Sequence, residues 1–159
     1  MKPEHLKLLR DKRWRLNNLY FITDKAGKKV RFRMTDEQIE YFDGMHTRNI
    51  ILKARQLGFT TECCIIQLDA ALFESAKCAL IAHTLNDAKR LFREKVKYAY
   101  DNLPAEIRAA IPASNDAPGE LVFTKGGSLH GSTSFRGRTR RYLHCFHSGK
   151  ICATFPHTA

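Results

Sequence analysis

The stretch from residue 49 to residue 102 limits the fold most tightly. Asn49–Ala54 (N-I-I-L-K-A) is a short apolar run of strand length. It ends in the glycine-containing loop Arg55-Gln56-Leu57-Gly58-Phe59, after which Thr60 or Thr61 can cap a helix running to about Ser75. Cys78–His83 (C-A-L-I-A-H) is a second buried-strand run. Thr84 then caps an amphipathic helix to about Asn102, with Leu85, Ala88, Leu91, Phe92, Val96 and Ala99 at helical spacing. Strand, loop, helix, strand and helix in that order make a βαβ unit. Its crossover predicts a parallel sheet covered on both faces. Tyr142–Phe146 supplies a third buried strand.

The flanking sequence is read more locally. Residues 1–18 form a basic segment, helical or tail-like. Leu19–Thr23 and Lys29–Met34 are β-prone runs around a short loop containing Gly27, which predicts a hairpin. Thr35 is a good helix N-cap, Asp36 and Glu37 suit the positive end of the helix dipole, and Gln38 completes a capping box. Pro104 opens a short helical turn, Ala113–Gly119 reads as a turn-rich loop, and Glu120–Thr124 with Ser128–Thr133 predicts a second hairpin. Cys63, Cys64 and Cys78 lie in apolar runs and are expected to be buried; His46 and His83 are expected in the core, and Phe92 and Tyr98 to serve packing.

Charge enters as a statement about partners. The 159 residues, one domain's worth, carry a formal net charge of +11. Residues 1–33 hold 11 basic and 3 acidic side chains, residues 34–124 hold 10 and 13, and residues 125–159 hold 6 and none. A near-neutral middle between two basic ends points to a polyanion at the periphery. Residues 1–20 are charged throughout and lack the apolar core of a secretory signal, so a cytoplasmic protein without a membrane partner is expected.

The loop after the first strand carries the chemistry. Amides at a helix N-terminus favour anions, a glycine admits a phosphate closely, a threonine hydroxyl can hold Mg²⁺, and a cation can neutralise a γ-phosphate. Against G-x4-G-K-[ST], Lys53-Ala54-Arg55-Gln56-Leu57-Gly58-Phe59-Thr60-Thr61 keeps Gly58 and Thr60, but has Lys53 at the first glycine and Phe59 at the lysine. The cation would have to come from Lys53 or Arg55.

Residues from about Tyr20 to Ala159 resemble the N-terminal ATPase domain of tailed-phage terminase large subunits, the motors that drive DNA into capsids. The resembling stretches are Ile51–Thr61, Ile81–Asp87, Tyr98–Pro104, Thr133–Gly137, Tyr142–His144 and Gly149–Cys152. The resemblance implies an α/β, P-loop NTPase-type (RecA-like) parallel sheet with flanking helices, incomplete at its C-terminal side, over residues 19–159. It implies ATP and Mg²⁺ as cofactors and a variant P-loop. There Lys53 or Arg55 contacts the β/γ-phosphates, with Gln56, Gly58, Phe59, Thr60 and Thr61 around them and Mg²⁺ on the Thr60 hydroxyl. Gln38 sits where related ATPases read the adenine edge, a role that competes with its capping role. Arg136, in Ser134-Phe135-Arg136-Gly137, reaches nucleotide or DNA, and Arg138, Arg140 and Arg141 extend that basic loop. The implied partners are double-stranded DNA, the phage portal and the small terminase subunit.

Two departures qualify this expectation. Hydrolysis calls for an acid at the end of a second buried strand, yet no Asp or Glu follows Glu120, and His147 stands at the expected position. A histidine can accept a proton but brings no negative charge for Mg²⁺, so nucleotide binding with impaired turnover is expected. The family also continues into a coupling segment and a nuclease domain, which do not fit before Ala159. A fragment or prophage remnant without nuclease activity is therefore expected, with an exposed sheet edge and self-association. The competing readings are a sequence-neutral DNA-binding module and an inert remnant. His144, Cys145, His147, Cys152 and His157 lack the paired spacings of structural zinc sites, so no structural metal is expected.

Overall fold

The computed structural model describes residues 7–46, 48–51, 57–133, 142–147 and 151–154. Its centre is a helix of unusual composition. Helix α3 (Phe59–Phe73; F-T-T-E-C-C-I-I-Q-L-D-A-A-L-F) is apolar nearly all round, and such a helix must be covered on every side. Every residue from Glu62 to Leu72 is buried. The helix lies against strands β4 (Lys77–Ala82), β7 (Ser128–Ser132), β8 (Tyr142–His147) and β9 (Ile151–Thr154). It also touches helix α1 (Lys12–Asn18) and the π-helical turn Phe92–Lys97. Each fully buried Leu or Ile contributes about 1.5–3 kcal/mol, which makes α3 the main apolar anchor of the fold. At its C-terminal end Ser75 takes φ 54°, and Ala76 N–H donates back to Ala70 O at 3.1 Å. A Cβ at Gly127 would overlap the Ala71 carbonyl, so the turn between Phe123 and Ser128 closes on α3 only through a glycine.

The fold is mixed α/β. Among the described residues the main sheet has seven strands in the order β3-β9-β8-β4-β7-β6-β5. These include β3 (Arg48–Ile51), β5 (Ala113–Ala117) and β6 (Glu120–Phe123). Strand β4 pairs in parallel with β8, Cys78 opposite Leu143, and with β7, Cys78 opposite Leu129. The expected parallel strands are therefore present, but the sheet is not parallel throughout. β9 runs antiparallel to both β3 and β8 and separates them. Only residues 148–150 join β8 to β9, and a parallel crossover needs a dozen or more. The sheet ends at β3 and β5 among these strands, and Ile50 on β3 is 71% exposed.

A separate two-stranded sheet is formed by β1 (Phe21–Thr23) and β2 (Lys29–Arg31), the first predicted hairpin. The second is β6–β7. Helix α2 (Asp36–Asp43) follows Thr35 as expected. Helix α4 (Leu85–Leu91) is capped by Thr84, whose hydroxyl oxygen accepts from Asp87 N–H at 3.1 Å. It continues through the π turn into α5 (Tyr98–Asp101), and α6 (Ala105–Ala110) starts after Pro104.

Several local expectations are corrected. Ala113–Gly119 is not a loop, because Ala113–Ala117 pairs with β6 as an edge strand. Its polar A-S-N-D-A sequence gives no alternation to read, and neighbouring backbone supplies the order. The residue preceding α3 is Gly58, in the left-handed region at φ 75°, so Thr60 and Thr61 fall inside the first turn rather than capping it. Leu85 is 48% exposed at the very start of α4, while Ala88, Phe92 and Val96 are buried at four-residue steps through the π turn. His46 and His83 are exposed rather than in the core. Cys63, Cys64 and Cys78 are buried, and burial pushes the Cys64 thiol up to about 12.

The basic N-terminal segment docks on α3. Asp11 caps α1 by accepting from Trp14 N–H at 3.2 Å, and Arg15 then points into the interior. Its guanidinium donates from Nη2 to Asp69 Oδ2 at 2.7 Å and from Nε to Oδ1 at 2.9 Å, and lies 4.5 Å over the Phe73 ring. The Tyr20 hydroxyl donates to the same carboxylate at 2.7 Å. Burial, reinforced by Asp69, holds the Tyr20 hydroxyl well above its ordinary pKa.

Candidate functional site

The N-terminus of α3 faces a cavity of about 320 Å³. Gly58, Leu57 and Thr61 form one wall, Ile22 and Phe32 of the hairpin region another, and Arg33 and Gln38 a third. Helix α2 places Gln38 there, because the capping geometry at Thr35 turns the third residue of the helix back toward its start. Gln38 is only 3% exposed. Its Oε1 accepts from Thr35 N–H at 3.1 Å, and its Nε2 donates to Leu57 O at 3.1 Å. The Thr35 hydroxyl donates to Glu37 Oε2 at 2.7 Å and lowers that carboxyl's pKa. One side chain thus ties the start of α2 to the loop entering α3.

Gly58 has two reasons to be glycine. Its φ of 75° is costly for other residues, and a Cβ there would stand 2.9 Å from Gln38 Nε2. The first backbone bond of α3 runs from Glu62 N–H to Gly58 O at 3.1 Å, so the amides before Glu62 precede the helix's own ladder. A bent glycine, first-turn amides and a helix dipole beside a cavity make an arrangement suited to an anion with a planar, partly apolar body attached.

The structure brings together Gln38, Gly58 and Thr61 at the cavity. Thr60 is half-buried in the same helical turn. Phe59 turns its side chain into the core, meeting Tyr41 edge-on at 5.9 Å between ring centroids. Lys53, Arg55 and Gln56 lie outside the described residues, as do Arg136, Arg138, Arg140 and Arg141. His147 ends β8 and is registered beside Ala82, the last residue of β4. Of the residues weighed for zinc, His157 also lies outside the described residues, His144 and Cys145 lie on β8, and Cys152 lies on β9. Among the described residues no group of three His, Cys, Asp or Glu side chains is arranged to hold a metal ion. No helix among them is long and apolar enough to cross a membrane.

Sequence reasoning missed Glu62. It stands in the first turn of α3, fully buried, and neither carboxyl oxygen has a hydrogen-bond partner among the described residues. Removal from water pushes its pKa from 4.5 to about 8. The carboxyl is therefore largely protonated at neutral pH. The available signal was a lone acid, Thr-Thr-Glu, at the head of an otherwise apolar helix. Asp69 gave the same signal farther along, and its partners Arg15 and Tyr20 are about fifty residues away in sequence, beyond local pattern reading.

No family model matches the chain, and no curated protein matches it.

Proposed function

We propose that this chain binds ATP in the cavity between Gln38 and Gly58, as a DNA-packaging ATPase domain of the terminase large-subunit type. The observation that carries this reading is the Gln38–Leu57 hydrogen bond at 3.1 Å, which joins an adenine-reading candidate to the glycine bend before α3. Gln38 has one N–H and one carbonyl lone pair to spare beyond its two bonds, the pair needed to meet the N7 and exocyclic amine of adenine. Ile22 and Phe32 offer apolar surface to the base, and the triphosphate runs toward the α3 amides.

The residues fit ATP better than they fit Mg²⁺. A bound Mg²⁺ would screen the phosphate charge, with the Thr60 hydroxyl as its donor from α3. Glu62, the acid in that turn, is enclosed and mostly neutral near pH 7, so it is not a ready ligand. With His147 and not an acid at the end of β8, water activation lacks a carboxylate at that position. Loss of such a general base costs on the order of 10²–10⁴-fold in rate. The domain is read as one that binds nucleotide and turns it over very slowly. In this reading its partners are duplex DNA, a portal and a small terminase subunit.

The test pairs equilibrium binding of ATP–Mg²⁺ with a phosphate-release assay. Binding is expected, with ATP favoured over GTP at least several-fold and that preference lost in Gln38→Ala. Release is expected to be barely above background. Brisk release would overturn the assignment of His147, and absence of ATP binding would overturn the reading as a whole.

A further inference from the structure

We propose that the exposed face of the β1–β2 hairpin is a contact surface for the phosphate backbone of duplex DNA, with Lys28, Lys29, Arg31 and Arg33 as its cations. The inference rests on the DNA half of the function proposed above and is independent of its nucleotide half.

Strand alternation builds the surface. Phe32 and Met34 are buried on one side of the second hairpin strand, while Lys29, Arg31 and Arg33 are exposed on the other. Phe32 N–H donates to Tyr20 O at 2.9 Å, which continues the hairpin pairing beyond Arg31 and keeps the row extended. Residues on one face of a strand recur about every 6.6–6.8 Å. That is the order of the through-space separation between neighbouring phosphates in a nucleic-acid strand. Lys28, exposed in the turn just before β2 and outside its alternation, adds a fourth cation beside that end of the row.

What sets these cations apart is their succession along one strand, since other basic side chains, such as Lys7, Arg10, Lys89 and Arg108, also lack a carboxylate partner among the described residues but lie elsewhere. Lys12 pairs with Glu74, Arg13 with Asp43, Arg15 with Asp69, Arg90 with Asp87, and Lys97 with both Asp101 and Asp116. Lys28, Lys29, Arg31 and Arg33 have no carboxylate partner among the described residues. The hairpin's own acid, Asp24, is engaged in its turn, where Oδ1 accepts from Ala26 N–H and Lys28 N–H at 2.8 Å each. A row of uncompensated positive charge on a protein of net charge +11 is complementary to a regularly spaced polyanion.

The chemistry favours a duplex over a single strand. Binding of single strands relies on open aromatic faces for base stacking. Here the Phe21 ring is covered by its own neighbours, with Lys29 Nζ 4.5 Å and the Arg31 guanidinium 5.7 Å from its centroid. The ring is occupied by the cations it holds in place. Cations placed this way read backbone and not base sequence.

The experiment is fluorescence anisotropy with a duplex of about 20 base pairs and a single strand of equal length, over a salt series. It compares the wild type, Lys28→Gln/Lys29→Gln/Arg31→Gln and Arg138→Gln/Arg140→Gln/Arg141→Gln. Arg33 is kept because it lines the cavity. The hairpin triple variant is expected to bind duplex at least tenfold more weakly at low salt. The slope of log K against log salt should fall by about 2.7, at about 0.9 for each phosphate that the variant leaves unneutralised. Its melting temperature and its response to ATP should match the wild type, which separates a missing charge from a damaged fold. Unchanged affinity and slope in the hairpin variant overturns the inference while leaving the DNA reading intact. So does tighter binding of the single strand. A wild type with no salt-sensitive duplex affinity overturns both, whatever ATP does.

Discussion

Asp69 and Glu62 lie seven residues apart on one buried helix, each with no exposed surface, and their surroundings are opposite. Asp69 is held by two guanidinium nitrogens of Arg15 and the hydroxyl of Tyr20. Glu62, at the end that meets the cavity-lining loop, has no partner for either oxygen among the described residues. A protein stabilised by every one of its parts would satisfy both or replace both with leucine. The contrast divides α3 into a half that fastens the N-terminal segment to the core and a half whose polar chemistry is unresolved within the fold. The second half is where the glycine bend, the cavity and Gln38 converge.

Substitutions can break or sharpen that contrast. The largest effect is expected from Arg15→Ala, which leaves the Asp69 charge buried without its cation and with only the Tyr20 hydroxyl; a loss of about 3–5 kcal/mol should appear in urea unfolding. Tyr20→Phe removes one hydrogen bond to a charged acceptor and should cost about 1.5–3 kcal/mol in the same measurement. Neither change should alter the ATP preference of material that remains folded.

Glu62 should behave in the reverse sense. Its folded pKa of about 8 lies above the ordinary 4.5, so the unfolded chain releases the proton first. Its contribution to stability is therefore full below about pH 4.5, falls as pH rises, and is gone above about pH 8. Glu62→Gln should flatten that decline and raise stability by about 1–3 kcal/mol at pH 8, read from unfolding curves across pH. A stability profile in which Glu62→Gln parallels the wild type would mean that Glu62 has a charged partner. The smallest effect is expected for Gly58→Ala, about 1 kcal/mol in stability, with a larger proportional drop in ATP binding because the new Cβ displaces Gln38.

These contrasts also show what the sequence could reveal. The βαβ unit, both hairpins and the caps at Thr35 and Thr84 were legible because periodicity, glycine-containing turns and capping residues are local signals. Gln38 and Gly58 were legible as residues, but their mutual dependence was not, since it arises where α2 meets the loop 20 positions later. Strand β5 was missed because an exposed polar edge carries no alternation. The antiparallel insertion of β9 was missed because its partners β3 and β8 are set by tertiary packing. The Arg15–Asp69–Tyr20 cluster joins segments about fifty positions apart, and nothing in either segment names the other.

The central claim is that the bend at Gly58, together with Gln38, forms a seat for ATP. A thermal-shift titration with ATP–Mg²⁺ on the wild type and on Gln38→Ala tests it most directly. The account predicts a saturable rise in melting temperature for the wild type, corresponding to about 2.7 kcal/mol at a hundredfold excess over the dissociation constant, and a markedly smaller rise for the variant. Equal shifts in the two proteins, or none in the wild type, would contradict it.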